Sequence, residues 1–125
     1  MRSGAIEWCN AGLPPPHIVS ADGHIASRSE AIGCPLGLPV PEGYAIGATT
    51  LAPGTSVFLG TDGITEATNQ AGELFGDGRL RDALGAAAKH TPAEMLAAVL
   101  EQVQRFRAGA EPSDDIAALV CRFKP

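Results

Sequence analysis

The sequence is short of cysteine pairs and of clustered basic residues, and each shortage argues against a class of protein. Its three cysteines, Cys9, Cys34 and Cys121, lie far apart and form no C-x-x-C pair. That spacing disfavours a disulfide framework and a structural zinc site. Nine Lys and Arg residues against fourteen Asp and Glu residues give a net charge of −5, and the basic residues are scattered. We therefore expect no nucleic-acid partner, because phosphate-binding surfaces need clustered basic residues.

Long apolar runs are also absent from the sequence. No run approaches the roughly 20 residues that a bilayer-spanning helix needs, and residues 1–8 lack the apolar core of a signal peptide. We therefore expect a cytoplasmic protein that does not bind a membrane. The 125 residues, 45% of them hydrophobic, are enough for one small folded domain.

The first half of the chain predicts short strands joined by turns. The expected strands cover residues 5–10, 17–21, 24–27, 44–51 and 56–60. Asp22-Gly23 suits a tight hairpin turn between the second and third of these strands. Residues 32–41 are expected to form a loop, because their glycines and prolines break any periodic pattern.

The second half predicts helices and one more strand. The expected elements are a short helix at 64–69, longer helices at 78–89 and 92–108, and a final strand at 116–121. The last helix has a clear start, because Thr91 and Glu94 have the spacing of a capping box and Pro92 occupies the first helical position. Together these elements predict an α+β fold with two main helices.

Isolated aromatic residues and histidines show no spacing that indicates a cofactor or metal site. Three aromatic side chains are expected in the core: Trp8, Phe58 and Phe106. The histidines are expected at the surface or in packing contacts: His17, His24 and His90. Glu66 is expected to be a solvated helix residue rather than a ligand. Arg79 and Arg81 could bind phosphate, but exposed helix charges are expected instead.

Acidic residues lie at the ends of two predicted strands. Asp62-Gly63 comes just after the strand at 56–60, and Asp114-Asp115 comes just before the last strand. If the two strands are antiparallel neighbours, the carboxylates converge. Mg²⁺ and Mn²⁺ prefer oxygen ligands, and a glycine would let the backbone come close to an ion. The same dipeptides are common in ordinary turns, so a shared metal site and a plain turn both remain open at this point.

Seven short motifs along the chain occur together in one known family. They are Asn10-Ala-Gly-Leu-Pro-Pro-Pro16, Pro35-Leu-Gly-Leu38, Leu51-Ala-Pro-Gly54, Val57-Phe-Leu-Gly-Thr-Asp-Gly-Ile-Thr-Glu-Ala67, Gly72-Glu-Leu-Phe-Gly76, Arg79-Leu80 and Ser113-Asp-Asp-Ile116. Their order resembles that of the sporulation stage II protein E (SpoIIE) type phosphatases, the bacterial branch of the PPM metal-dependent serine/threonine protein phosphatases. The resemblance covers essentially the whole chain.

The resemblance implies a fold and a domain assignment. The family domain is an α-β-β-α sandwich of antiparallel strands and is longer than this chain. Residues 1–125 are therefore expected to form the carboxyl-terminal half of such a domain. The Gly-Asp and Gly-His-Gly motifs of the family's first half, which supply the aspartate that bridges two metals, have no counterpart here.

The resemblance also implies the site residues and their chemistry. By position, Asp62 and Asp114 become the catalytic metal ligands, Gly63 a backbone contact to the metal, and Asp115 a further candidate ligand. Two Mn²⁺ or Mg²⁺ ions would activate a water for attack on a phosphoserine or phosphothreonine. The expected substrate is a regulatory phosphoprotein such as an anti-sigma-factor antagonist.

Some residues depart from the family pattern. Leu13 stands where the family usually has histidine, Gly60 where an aromatic residue or serine is common, and Ala117 where threonine is usual. Leu13 and Ala117 remove polar groups near the expected edge of the site. Together with the missing bridging aspartate, they predict little or no activity for the isolated chain.

A second hypothesis is a non-catalytic phosphatase remnant that binds a partner protein. Half of a sandwich should expose an apolar face, which favours association with a complementary half or with a second copy of the chain. A haloacid-dehalogenase-type phosphatase is disfavoured. That class needs an early Asp-x-Asp motif, and residues 5–20 contain no aspartate.

Overall fold

Eight strands and three helices make up the computed structural model, which describes residues 3–39, 42–112 and 114–125. The strands are β1 (Ala5–Trp8), β2 (Asn10–Ala11), β3 (His17–Val19), β4 (Ile25–Ser27), β5 (Ile32–Gly33), β6 (Gly47–Thr50), β7 (Ser56–Gly60) and β8 (Ala118–Arg122). The helices are α1 (Asp62–Thr65), α2 (Gly76–Ala86) and α3 (Pro92–Arg107). Within these ranges, none of the helices has the length and apolar character needed to cross a bilayer.

Four antiparallel strands form the main sheet, in the order β4-β3-β7-β8. Residues of the central strand β7 alternate between the two faces of this sheet. Phe58 lies on the face that packs against the helices, whereas Val57 and Leu59 lie on the opposite face. The mixed architecture predicted from the sequence, with antiparallel strands and two main helices, is confirmed.

Helices α2 and α3 build the core against one face of the main sheet. The capping box predicted for α3 is present: the Glu94 N–H donates to the Thr91 hydroxyl (3.2 Å), and the Thr91 N–H donates to the Glu94 carboxylate (2.8 Å). Large apolar side chains that are almost fully buried in this core are Val19, Phe58, Ile64, Leu84, Met95, Val99 and Val103.

The other face of the main sheet borders the two-stranded pair β1–β6, and an open cavity of about 460 Å³ lies between them. Residues of this cavity on β1, the main sheet and the segment that follows β8 form what we call the open face: Ile6, Trp8, Ile18, Val57, Leu59, Cys121 and Phe123. Leu119 pairs with Leu59 across β7 and β8 and extends this surface to the edge strand, where it is 53% exposed.

Two predictions about the first half of the chain are wrong in detail. Trp8 does not enter the core but packs on Gly47 of β6, where a Cβ atom would clash with the indole. Strand β5 lies inside the predicted loop and pairs in parallel with β2. The end of that loop, Val40 and Pro41, lies outside the described residues.

Helix starts also differ from the prediction. Helix α1 begins at Asp62 rather than at 64, and α2 begins at Gly76 rather than at 78. In the first turn of α2, the Asp77 carboxylate lies 2.8 Å from the imidazole Nε2 of His17. This contact joins residues far apart in the chain, so local sequence patterns do not reveal it.

Candidate metal-binding site

The acidic residues lie together because β7 and β8 are antiparallel neighbours. The last paired residues are Gly60 and Ala118, and the Thr61 N–H then donates to the carbonyl oxygen of Ala117 (2.9 Å). The end of β7 and the start of β8 therefore lie side by side. The sequence predicts that Asp62 and Asp114 converge if their strands are antiparallel neighbours, and β7 and β8 are antiparallel neighbours.

The Thr61 side chain links the two acidic loops directly. Its hydroxyl accepts a hydrogen bond from the Ala117 N–H (3.1 Å) and donates one to the Asp115 carbonyl oxygen (3.2 Å). Sequence reasoning missed this role. A hydroxyl residue next to Asp62 at the end of a strand was the available signal, but its partners are more than fifty residues away.

Gly63 permits the close approach of the second loop. It is buried, and a Cβ atom at this position would clash with the Asp115 carbonyl oxygen. The absence of a side chain therefore lets the Asp114–Asp115 loop lie against the start of α1. The role as a backbone contact to a metal stays a prediction.

The carboxylates of Asp62, Asp114 and Asp115 are exposed at this end of the sheet. The Asp115 N–H donates to Asp114 Oδ1 (2.7 Å), which orients that carboxylate. Among the described residues, the ion pairs involve none of Asp62, Asp114 and Asp115. Ser113, which belongs to the same motif, lies outside the described residues.

The donor chemistry suits part of a divalent-cation site. Carboxylate oxygens are the hard ligands that Mg²⁺ and Mn²⁺ prefer, and Asp62 and Asp114 bring two of them to linked loops. In the described ranges, no group of three or more His, Cys, Asp or Glu side chains is placed to hold a metal ion.

A recess of about 340 Å³ lies beside these loops, on the helix side of the sheet. Thr61 forms part of its wall, and His17 and Asp77 lie in its lining. The His17 side chain is only 6% exposed and meets the Phe58 ring edge-on, with the ring centroids 6.2 Å apart. His17 is thus a packing residue, one of the two roles predicted for it.

Several other residues noted in the sequence have structural contacts. The Asn10 side chain closes the loop ahead of the prolines, since it accepts from the Leu13 N–H (2.8 Å) and donates to the Leu13 carbonyl (2.9 Å). Arg79 stacks on the Phe106 ring, with 4.5 Å to the ring centroid, and Arg81 donates to the Ile25 carbonyl (2.8 Å). Arg79 is exposed, as predicted, and Arg81 is half-buried, and each also contacts a neighbouring element.

Comparison with known proteins identifies the family. The model of the Stage II sporulation protein E (SpoIIE) family matches residues 1–124. The chain belongs to the SpoIIE family. Protein IcfG of Synechocystis sp. (strain ATCC 27184 / PCC 6803 / Kazusa) is 30% identical over 86 residues, which are 69% of this chain and 13% of IcfG.

Solved structures agree on the fold. The SiaA-PP2C domain of Pseudomonas aeruginosa is similar over 98% of this chain and 48% of that chain, with a TM-score of 0.80 and 22% identity. The phosphatase domain of the cell fate determinant SpoIIE from Bacillus subtilis, presoaked with Mn, is similar over 96% of this chain and 51% of that chain, with a TM-score of 0.72 and 17% identity. The chain thus has the fold of PP2C-type (PPM) phosphatase domains and spans about half the length of these two structures.

Proposed function

We propose that residues 1–125 form the carboxyl-terminal half of a PPM-type phosphatase domain that hydrolyses phosphoserine or phosphothreonine on a regulatory protein. The observation that carries the proposal is the junction of β7 and β8, where Thr61 and Gly63 hold the two acidic loops against each other. Family membership and the shared fold support it.

In this proposal, Asp62 and Asp114 supply carboxylate ligands, Gly63 a backbone contact and Asp115 a further ligand to a site for two Mn²⁺ or Mg²⁺ ions. When bound, such ions supply an activated water and offset the charge of the phosphoryl group. The carboxylates have no ion-pair partner among the described residues, so their charges are available to a cation. The proposed substrate is a cytoplasmic phosphoprotein such as an anti-sigma-factor antagonist.

Cation binding tests the proposal directly. Mn²⁺ binding to the 125-residue chain, measured by electron paramagnetic resonance, should weaken in Asp62→Asn. It should stay unchanged in the control Asp82→Asn, which removes an exposed carboxylate from α2. Equal Mn²⁺ binding by the two variants would contradict the proposal.

Hydrolysis of p-nitrophenyl phosphate in millimolar Mn²⁺ tests the domain assignment. The isolated chain should show little or no turnover, because two or three carboxylates alone hold a binuclear centre poorly. Robust turnover that Asp62→Asn abolishes would show that the chain is a complete catalytic unit, which the half-domain assignment forbids.

A second candidate function is a protein-binding module, and the open face favours it. Its apolar side chains line a cavity of about 460 Å³, and the exposed Leu119 lies next to it, paired with Leu59. Such surfaces favour association, either with a complementary half-domain or with a second copy.

Leu119→Asp should therefore reduce self-association, measured by size-exclusion chromatography, and reduce the binding of a hydrophobic dye. The control Leu74→Asp changes a leucine of almost equal exposure, 54% against 53%, away from the open face. A monomer that binds no dye would contradict this function.

A further inference from the structure

The contacts of Thr61 carry one further inference about this chain. One residue beyond the last pair of β7 and β8, the Thr61 N–H still donates to the Ala117 carbonyl, and the Thr61 hydroxyl adds two further hydrogen bonds. A hydroxyl has one donor and two acceptor positions, and here the donor and one acceptor position are both used on the opposite loop. Both partners are backbone groups, so the hydroxyl, together with the Thr61 N–H, holds that loop in place.

The position of the loop matters because it carries Asp114 and Asp115, whereas Asp62 directly follows Thr61. The spacing of the two loops therefore limits how close the carboxylates can come. Thr61 and Gly63 act on the same group from both sides of Asp62, since the Asp115 carbonyl accepts a hydrogen bond from the first and lies against the second. Together they keep the two loops close.

We propose that Thr61 is a positioning residue whose hydroxyl fixes the spacing of the Asp62 and Asp114 carboxylates and thereby sets the affinity of the chain for a divalent cation. This inference rests on the proposed function, because it concerns the same carboxylates. Groups that orient metal ligands typically change metal affinity by about 10–100-fold when removed.

The test is an Mn²⁺ titration of the 125-residue chain, followed by paramagnetic broadening of backbone amide signals. In the wild type, signals from residues 62–64 and 114–116 should broaden over the same range of Mn²⁺ concentration. Thr61→Val keeps the shape of the side chain but loses both hydrogen bonds. This variant should need at least about tenfold more Mn²⁺ for the same broadening. Thr61→Ser keeps the hydroxyl and should restore most of the affinity.

Thr65→Val is the matched control. It removes a neighbouring hydroxyl that bonds only to the Asp62 carbonyl (3.3 Å), within the same short helix. Thermal unfolding of each variant shows whether it is folded. In the wild type, the Ala117 amide should also exchange slowly with solvent, because the Thr61 hydroxyl accepts its hydrogen bond.

The possible outcomes separate this inference from the proposed function. Equal Mn²⁺ affinity in the wild type and Thr61→Val, or equal loss in Thr61→Ser and Thr61→Val, would overturn the inference and leave the proposed function standing. Fast exchange of the Ala117 amide would overturn it without any metal. A wild type in which neither loop broadens would overturn both.

Discussion

His17 and Gly63 have roles that depend on residues far away in the chain. His17 is an isolated histidine in the sequence, and its partner Asp77 comes sixty positions later. Gly63 belongs to a common turn dipeptide, and the group that requires a glycine there is the carbonyl of Asp115. The sequence predicts a surface or packing role for His17 and a close approach of the backbone to an ion at Gly63, but it identifies neither Asp77 nor the Asp115 carbonyl as a partner.

Replacing His17 by alanine should lower the free energy of unfolding by about 1–3 kcal/mol, because it leaves a void beside Phe58 and removes a buried hydrogen-bonding group. Asp77→Asn should cost less than about 1 kcal/mol, since the Asp77 side chain is 57% exposed and water can replace its partner. Urea unfolding measures both variants. Equal losses would show that the His17–Asp77 hydrogen bond, rather than packing, accounts for the stability.

Replacing Gly63 by alanine should lower the free energy of unfolding by about 1–3 kcal/mol, because the new methyl group must displace the Asp115 backbone. Gly78→Ala is the matched control. Nothing lies within 4 Å of a Cβ atom at Gly78, which is exposed in α2. That change should stabilise the chain by about 0.5–1 kcal/mol through helix propensity. A neutral Gly63→Ala would contradict the close approach of the two loops.

Among the helices and strands, α3 could be predicted from sequence better than any strand. All contacts of its capping box lie within four residues, and its apolar side chains Met95, Val99 and Val103 recur every four residues on the buried face. Strand β5 has no comparable signal, because only its parallel pairing with β2 defines it as a strand. Elements specified by local contacts can be predicted, and those specified by distant pairing cannot.

The capping box gives a pH-dependent prediction. Hydrogen bonds from the Thr91 backbone and side chain hold the pKa of Glu94 below its ordinary value of 4.5. Because the pKa is lower in the folded state, the charged Glu94 carboxylate stabilises the fold at pH values above 4.5. This contribution disappears as the pH falls through the folded-state pKa. Glu94→Gln should therefore lower the Tm at neutral pH, and the difference from the wild type should shrink below pH 4.5.

Circular dichroism of thermal unfolding at neutral and acidic pH measures this effect. Glu111→Gln changes an exposed acid outside α3 and should leave the Tm the same as in the wild type at either pH. A Tm difference for Glu94→Gln that stayed constant down to low pH would contradict a role for the charged carboxylate.

At the scale of the whole molecule, the position of the site depends on the order of the strands. The sequence places Asp62 after one strand and Asp114 before another, but it does not show that these strands are neighbours. The pairing of Gly60 with Ala118 provides that step. It also orients Leu59 and Leu119 toward the open face, so one pair of strands carries both the acidic loops and the apolar surface.

We propose that Asp62 and Asp114 bind the same cation. The Mn²⁺ affinities of Asp62→Asn, Asp114→Asn and the double variant test this proposal. If the carboxylates share an ion, either single change should remove most of the affinity and the double change should add little. Isothermal titration calorimetry of the folded variants measures the three affinities. Single variants that bind Mn²⁺ as the wild type does, or two separate Mn²⁺ ions of which each single variant loses a different one, would contradict a shared site.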